Sequence, residues 1–183
     1  MARHFKLTAD GGSRGNPGPA GFGAVVTEGG KIVAELFDVI GIATNNVAEY
    51  NGLLAGLSHI NKLDKDATVE VAMDSKLVVE QMSGRWQIKH ADMRDLAKQC
   101  RDAHTPSLVT YSWIPRDENS HADRLANKAL DGESAHKPAA VIQQNYLTDR
   151  LRSTEVPTFI YFIRHGETVL TPTRKFSGTG SLD

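Results

Sequence analysis

Two strand-like runs of this sequence each end in an aspartate, and this arrangement constrains the fold more than any other feature. The runs finish at Asp10 and at Asp74. Two further acids, Glu49 and Asp123, lie within helical patterns, on the side from which apolar or small residues project. Carboxylates held away from water repel one another and lose hydration, so the pattern predicts a fold that brings all four to one shared partner.

A divalent cation is the partner that four such carboxylates predict. Mg²⁺ and Mn²⁺ prefer oxygen ligands, and carboxylates are among the ligands they usually take. The alternative is that the four acids are unrelated surface residues. The register of Glu49 with Leu53 and Leu57 on one helix face argues against that alternative.

The hydrophobic pattern predicts a mixed α/β fold. Strands are predicted over residues 4–10, 20–27, 31–41, 67–73 and 107–114, and helices over about 47–63, 75–82, 91 onward and 120–130. A turn-rich loop is predicted over residues 11–19, and two glycines at 29 and 30 predict a hairpin. The expected architecture is a mixed five-stranded sheet, a three-strand antiparallel meander plus two further strands, with helices on its faces.

The composition excludes several classes of protein. The formal net charge of −1 argues against a broad phosphate-neutralising surface, although metal ions and local patches can still supply positive charge. No apolar run approaches the ~20 residues of a membrane span, and the first residues lack a signal pattern, so we expect a cytoplasmic protein with no membrane partner. Cys100 is the only cysteine, which excludes an intramolecular disulfide and a cysteine zinc site.

Four stretches of the first 132 residues resemble the type 1 ribonuclease H family. They are DGGSRGNPGPAG from Asp10, TNNVAEY from Thr44, the pair Asp74-Ser75, and NSHADRLA from Asn119. Each stretch alone is a modest signal. All four in this order, inside the matching succession of strands and helices, make the resemblance specific.

The resemblance implies a ribonuclease H-like fold and hydrolysis of the RNA strand of an RNA/DNA hybrid by a two-metal-ion mechanism. It identifies Asp10, Glu49, Asp74 and Asp123 as the catalytic and metal-binding residues. Two Mg²⁺ ions are the expected cofactors, with Mn²⁺ as a substitute. Glu49 is also expected to reach a ribose 2′-hydroxyl, the group that distinguishes RNA from DNA. The sequence indicates no protein partner.

The resemblance also implies contacts with the hybrid. These fall on Gly11, Gly12, Asn16, Thr44, Asn45 and Asn46. The two glycines are expected to let the minor groove approach closely, because no Cβ intrudes. A structural role is open for three of the others: Asn16 as a turn residue, and Thr44 and Asn46 as helix caps.

Two departures from the family pattern stand out. Many members carry a histidine in the loop before the last catalytic aspartate, but residues 113–119 contain none. Arg116 and Glu118 are the candidates to replace it. His121 lies nearby and is expected to have a capping or surface role. Some members also carry a basic helical protrusion, for which residues 85–90 are too short. We therefore expect a lower affinity for hybrid and a shallow salt dependence.

A basic group with one aromatic residue lies near that short segment. Its members are Lys76, Arg85, Trp86, Lys89 and Arg94. It is either a patch for nucleic acid or a solvated helix face with one half-buried tryptophan, and both interpretations stay open.

The last part of the chain resembles a second family. Residues 133–157 are predicted to be a linker, and an apolar strand then leads into Arg164-His165-Gly166-Glu167-Thr168, which resembles the start of a histidine phosphatase domain. In that family His165 would take the phosphoryl group and Arg164 would bind its oxygens. About 25 residues cannot bury a core alone, so residues 158–183 are expected to be an inactive fragment.

Two other functions remain alternatives. The chain could be a hybrid-binding module with little activity, although clustered negative charge brings no benefit to a protein that only binds phosphates. It could also be the accessory domain of a phosphatase, which would apply to a longer parent protein.

Overall fold

The computed structural model describes residues 3–132, which form a five-stranded sheet with helices on both faces. The strands are β1 (His4–Ser13), β2 (Gly18–Glu28), β3 (Lys31–Ala43), β4 (Thr68–Met73) and β5 (Val109–Trp113). The helices are α1 (Asn45–Leu63), α2 (Lys76–Met82), α3 (Ala91–Ala103) and α4 (Ser120–Leu130), with short 3₁₀ turns at Pro106–Leu108 and Arg116–Asn119. The predicted linker and the phosphatase-like stretch with Arg164 and His165 lie outside the described residues.

The sheet has the order β3-β2-β1-β4-β5. The first three strands form the predicted antiparallel meander, and β4 and β5 run parallel to β1. Gly29 and Gly30 connect β2 to β3 with φ values of +56° and +78°, as a two-residue turn with positive φ at both positions requires. The predicted fold class is therefore confirmed in its strand number, its mixed pairing and its meander.

The predicted end of the first strand was wrong. β1 continues past Asp10 to Ser13, with Gly11 paired to Phe22 and Gly12 paired to Gly21. The two glycines suggested a loop because glycine is depleted in strands. Here they extend the ladder, since the backbone of β2 pairs with them regardless of their missing side chains.

The main core lies between one face of the sheet and α1, α2 and α3. Its largest fully buried members include Phe5, Leu7, Tyr50, Leu53 and Leu57. The odd-numbered positions of β1 therefore point toward α1, as the period of two in a strand predicts. The same register directs Asp10 to the opposite face.

Glycines in the strands allow two helices to come very close to the sheet. A Cβ on Gly11 would lie 2.2 Å from the backbone nitrogen of Glu49 in α1. A Cβ on Gly23, which pairs with Asp10 across the ladder, would lie 2.3 Å from the carbonyl oxygen of Ala122 in α4. Close contact with the sheet backbone therefore fixes α1 at Glu49 itself, and α4 at Ala122, the residue before Asp123.

Within residues 3–132, no helix combines the length and the apolar character that a membrane span needs.

Candidate active site

The four predicted acids line a single cavity of about 300 Å³. Asp10 lies in β1, and Asp74 directly follows β4, which is the parallel neighbour of β1. Glu49 projects from the first turns of α1 and Asp123 from the first turn of α4. The structure thus brings together four residues that are spread over 114 positions of the sequence, from two neighbouring parallel strands and two helices.

Asp10 is buried, with 9% of its surface exposed. Its Oδ1 accepts a hydrogen bond of 2.8 Å from the backbone nitrogen of Gly11. Desolvation, followed by the negative charge of Asp74, raises the pKa of Asp10 from 3.8 to about 6, against the lowering effects of the Gly11 amide and of Arg116. Burial and the neighbouring acid thus both favour the protonated form of this carboxyl group.

Glu49 is held by both of its oxygens. Oε1 accepts from the side-chain nitrogen of Asn45 at 3.1 Å, and Oε2 accepts from the hydroxyl of Ser75 at 2.6 Å. Only 8% of its surface is exposed. Desolvation raises the pKa of Glu49 from 4.5 to about 7, with Asp10 and Asp74 adding to the rise and the Ser75 hydrogen bond opposing it.

Asp74 is positioned by two residues that the sequence did not identify. Its Oδ1 accepts a hydrogen bond of 2.6 Å from Nδ2 of Asn119, and its backbone oxygen accepts one of 3.0 Å from Nε1 of Trp113. Nδ2 of Asn119 also donates to the backbone oxygen of Ala9, at 2.9 Å. One buried amide, 1% exposed, therefore connects β1, at the residue before Asp10, to Asp74 directly after β4.

Asn119 carries a second unusual feature. Its Oδ1 is buried and has no hydrogen-bond partner in the described structure. An unpaired buried acceptor is costly, so the geometry of the two donated bonds, rather than full satisfaction of the amide, explains this residue at this position. The only signal in the sequence was its place within the stretch that precedes Asp123.

Asp123 forms an ion pair with Arg116. Its Oδ1 accepts a hydrogen bond of 2.7 Å from Arg116, and its Oδ2 accepts one of 3.1 Å from the side-chain nitrogen of Asn127. Arg116 lines the cavity, whereas Glu118 is not among its lining residues in the described chain. His121 pairs with Glu35 at 2.6 Å, in agreement with the predicted surface role.

The predicted nucleic-acid contacts divide into two sets. Gly11, Gly12 and Asn45 line the cavity. Asn16 accepts a hydrogen bond of 3.2 Å from the backbone nitrogen of Asn45, and Thr44 accepts one of 3.4 Å from that of Val47, so both cap the start of α1. The capping role that the sequence left open for Thr44 is therefore present. The same role for Asn46 was wrong, because Asn46 lies inside α1 and Thr44 is its N-cap, whereas the cap provided by Asn16 was not predicted.

Asn46 lies in the first turn of α1 and is half-buried. The basic group adjacent to α2 is largely solvated: Trp86 is exposed over 47% of its surface, and Arg85 pairs with Glu80. In the described part of the chain, neither Asn46 nor this basic group lines the cavity that holds the four acids.

Gly11 packs against α1, and the expected approach of a minor groove at this glycine was wrong. The space beside its Cα is filled by the backbone of α1, 2.2 Å from an added Cβ, and cannot receive a nucleic acid groove. Packing against α1 requires this glycine. At Gly12 the nearest atom to an added Cβ is a methyl of Leu130 at 3.4 Å, an ordinary contact distance.

The donor set fits a hard divalent cation in its chemistry. Four carboxylates share one cavity, and two of them have a raised pKa because they are buried and lie near other acids. Among residues 3–132, however, no three histidine, cysteine or acidic side chains converge closely enough to form a finished metal centre. Asp123 is hydrogen-bonded to Arg116, and Glu49 to Asn45 and Ser75.

Comparison with known proteins places this fold and site within one class. Residues 8–129 match a family model described as reverse transcriptase-like. The bifunctional protein Rv2228c of Mycobacterium tuberculosis is 45% identical over 185 residues, which cover 96% of this chain and 50% of that protein. A ribonuclease H of Mesorhizobium japonicum is 32% identical over 180 residues, which cover 85% of this chain and 99% of that protein. The chain therefore belongs to the ribonuclease H family of enzymes.

Solved structures agree with the assignment. The N-terminal RNase H domain of Rv2228c, studied as a fusion with maltose-binding protein, is 51% identical, with a TM-score of 0.68 over 72% of this chain and 96% of that one. LC11-RNase H1 in complex with an RNA/DNA hybrid is 37% identical, with a TM-score of 0.65 over 70% of this chain and 97% of that one. The ribonuclease H-like fold is thereby confirmed, while the chain spans about half the length of the mycobacterial relative.

Proposed function

We propose that this chain hydrolyses the RNA strand of RNA/DNA hybrids, with Asp10, Glu49, Asp74 and Asp123 as its catalytic carboxylates. The observation that carries the proposal is their convergence in one cavity on a ribonuclease H fold. The hybrid seen in the LC11-RNase H1 complex supports the choice of substrate, because that enzyme shares this fold at 37% identity.

The four carboxylates would hold divalent cations, with two Mg²⁺ ions, or Mn²⁺ in their place, as the proposed set. Bound there, such ions would supply Lewis-acid activation of a water molecule and neutralisation of the leaving oxygen in an in-line displacement. Asp10 and Asp74 suit this role because Asp10 lies in β1 and Asp74 directly follows β4, its parallel neighbour. Glu49 contributes from α1, where Asn45 and Ser75 orient its two oxygens.

The same residues would select RNA. Glu49 and Asn45 both line the cavity and are joined by a hydrogen bond of 3.1 Å, so they form an acceptor and a donor side by side. A ribose 2′-hydroxyl can both donate and accept a hydrogen bond, and a deoxyribose has no hydroxyl at this position. We propose that this pair contacts the 2′-hydroxyl next to the cleaved bond.

Arg116 is the proposed replacement for the missing loop histidine. It lines the cavity and pairs with Asp123 at 2.7 Å. Because its side chain is largely exposed, the ion pair is weak, and the guanidinium can exchange the carboxylate for a phosphate oxygen. Such an exchange would also free Asp123 to bind a cation. Glu118 has the wrong charge to bind a phosphate and does not line the cavity in the described chain.

We also propose the division of the chain into a ribonuclease H domain over residues 1–132, a linker over 133–157, and the beginning of a histidine phosphatase domain over 158–183. The motif around Arg164 and His165 supports this division, as does a relative of twice the length that is called bifunctional. The fragment is proposed to have no phosphatase activity, and His165-dependent hydrolysis of a phosphate monoester would contradict that.

The test is cleavage of a hybrid that carries a label on its RNA strand, with Mg²⁺, with Mn²⁺ and with a chelator. Single-stranded RNA and duplex RNA serve as controls. The expected result is metal-dependent cutting of the hybrid RNA alone, and no cutting by Asp74→Asn, which should still bind hybrid. Hybrid binding without cutting by the unsubstituted chain would support the binding-module alternative instead.

A further inference from the structure

The cavity contains two positive charges besides its four carboxylates. Its lining includes Arg116 and Arg14, and each arginine pairs with an aspartate of the α4 segment. Arg116 pairs with Asp123 in the first turn of α4, whereas Arg14 pairs with Asp131, which caps the end of that helix. These aspartates are eight positions apart in the sequence, which corresponds to roughly 12 Å along the helix axis.

This spacing gives the two arginines different positions along any nucleic acid strand that occupies the cavity. A strand with its cleaved bond at the carboxylates would meet Arg116 there. It would meet Arg14 about 12 Å away, at the far end of α4. Its phosphates need positive charge along this path, because the cavity is otherwise lined by acids and neutral groups.

The backbone of Arg14 is fixed in place. Its nitrogen donates a hydrogen bond of 2.7 Å to the carbonyl oxygen of Pro19. Two residues further on, Asn16 caps the first nitrogen of α1 at 3.2 Å. The segment that carries Arg14 is therefore attached both to β2 and to α1, the helix that bears Glu49.

The side chain of Arg14, in contrast, is free to change partners. Its side chain is 56% exposed and that of Asp131 is 60% exposed. Exposed ion pairs contribute little to stability, so a phosphate can displace Asp131 at little cost. A guanidinium binds phosphate oxygens through two parallel hydrogen bonds, a geometry that lysine cannot provide.

We propose that Arg14 binds a phosphate of the RNA strand at a distance from the cleaved bond, and that Asp131 holds its guanidinium at the cavity rim until the substrate arrives. This inference rests on the proposed function, because that function places the RNA strand in the cavity. The competing interpretation is purely structural: the pair would only connect the segment after β1 to the end of α4.

Two substitutions separate these interpretations, since each breaks the same ion pair. Arg14→Gln removes the phosphate ligand, whereas Asp131→Asn leaves it in place and unpaired. The matched control is Lys98→Gln, which also removes one positive charge from an exposed pair with an aspartate, on α3 and away from the cavity.

The measurement is hybrid cleavage and hybrid binding over a range of salt concentrations, for the full chain and the three variants. We expect Arg14→Gln to raise KM by about 3- to 10-fold and to reduce the slope of log Kd against log salt by about 0.7 to 0.9, the effect of losing one phosphate contact. Its effect on kcat should be the smaller one. Asp131→Asn should give a KM equal to or below that of the unsubstituted chain, and Lys98→Gln should change neither KM nor the slope.

Equal increases in KM for Arg14→Gln and Asp131→Asn would overturn the proposal, because a structural ion pair is lost in both. An unchanged salt slope in Arg14→Gln would overturn it as well. If the unsubstituted chain cuts hybrid normally and either result is found, only this inference fails. If the unsubstituted chain neither binds nor cuts hybrid, the proposed function fails and this inference fails with it.

Discussion

Replacing Asn119 with alanine is expected to damage both stability and catalysis, because one amide connects β1 to the residue that follows β4. The substitution removes a 2.6 Å hydrogen bond to the carboxylate of Asp74 and a 2.9 Å bond to the backbone of Ala9. A hydrogen bond to a charged group contributes about 2 kcal/mol and one to a neutral group about 1 kcal/mol. Loss of the unpaired Oδ1 offsets about 1 kcal/mol of that, since its burial is itself unfavourable.

The net expectation for Asn119→Ala is a decrease of about 2 kcal/mol in the free energy of unfolding. The assay is urea unfolding followed by circular dichroism, with a chelator present. Hybrid cleavage should show a kcat lower by about 10- to 100-fold and a much smaller change in KM, the usual result of removing a residue that orients metal-binding carboxylates. In the Asp74→Asn background the loss of stability should be smaller, because the charged acceptor is gone.

Asn61→Ala is the matched control for this experiment. Asn61 also donates its side-chain nitrogen to a backbone carbonyl, that of Ala103 at 2.7 Å, but it connects α1 to the end of α3, away from the cavity. We expect a loss of about 1 kcal/mol and a normal kcat. The reasoning is refuted if both variants lose the same stability and both keep their kcat, because Asn119 would then be only another buried amide.

Three further predictions concern the site and its surroundings. Gly11→Ala should destabilise the fold by about 2 to 3 kcal/mol and lower kcat, since the new Cβ would lie 2.2 Å from the backbone of Glu49. Thermal unfolding measures the first effect and hybrid cleavage the second. A fully stable, fully active variant would contradict the expected clash. Without divalent cations, the raised pKa values of about 6 for Asp10 and about 7 for Glu49 mean that the folded state binds more protons than the unfolded state, so stability should fall as pH rises from about 4 to 7. Glu49→Gln should flatten that decline in urea unfolding at pH 5 and pH 8, and an unchanged slope would show that Glu49 is not its source. Mg²⁺ should raise the Tm of the unsubstituted chain more than that of Asp74→Asn in calorimetry, whereas equal shifts would place the ion elsewhere.

The sequence predicted the sheet and the helices well because their signals are local. The Ser75 cap and the glycine after Met82 defined α2 correctly, and the pattern after Asn119 defined α4. The predicted end of β1 at Asp10 was wrong. The strand continues through Gly11 because the pairing with β2 and the closeness of α1 require a strand there. Those requirements come from tertiary contacts, which a local pattern does not contain.

Some residues of the candidate site could be predicted from local sequence patterns, and others only from tertiary contacts. Glu49 and Asp123 could be found from their helical phase, and Asp10 and Asp74 from their places after apolar runs. Asn119 could not, because its role depends on contacts with residues 110 and 45 positions away. Arg14 could not either, since only the fold shows that the residue after β1 shares a cavity with the end of α4.

The glycine contacts of α1 and α4 have a consequence for how this protein can change over evolutionary time. Gly11 faces the backbone of α1 at Glu49, and Gly23 faces that of α4 at Ala122, beside Asp123. The separation between strand acids and helix acids is thus set by main-chain atoms, which are identical in every sequence. Hydrophobic residues elsewhere in the core can drift among similar sizes while the carboxylates keep their places. We therefore expect relatives to vary freely at positions such as Leu53 and to retain glycine at these two.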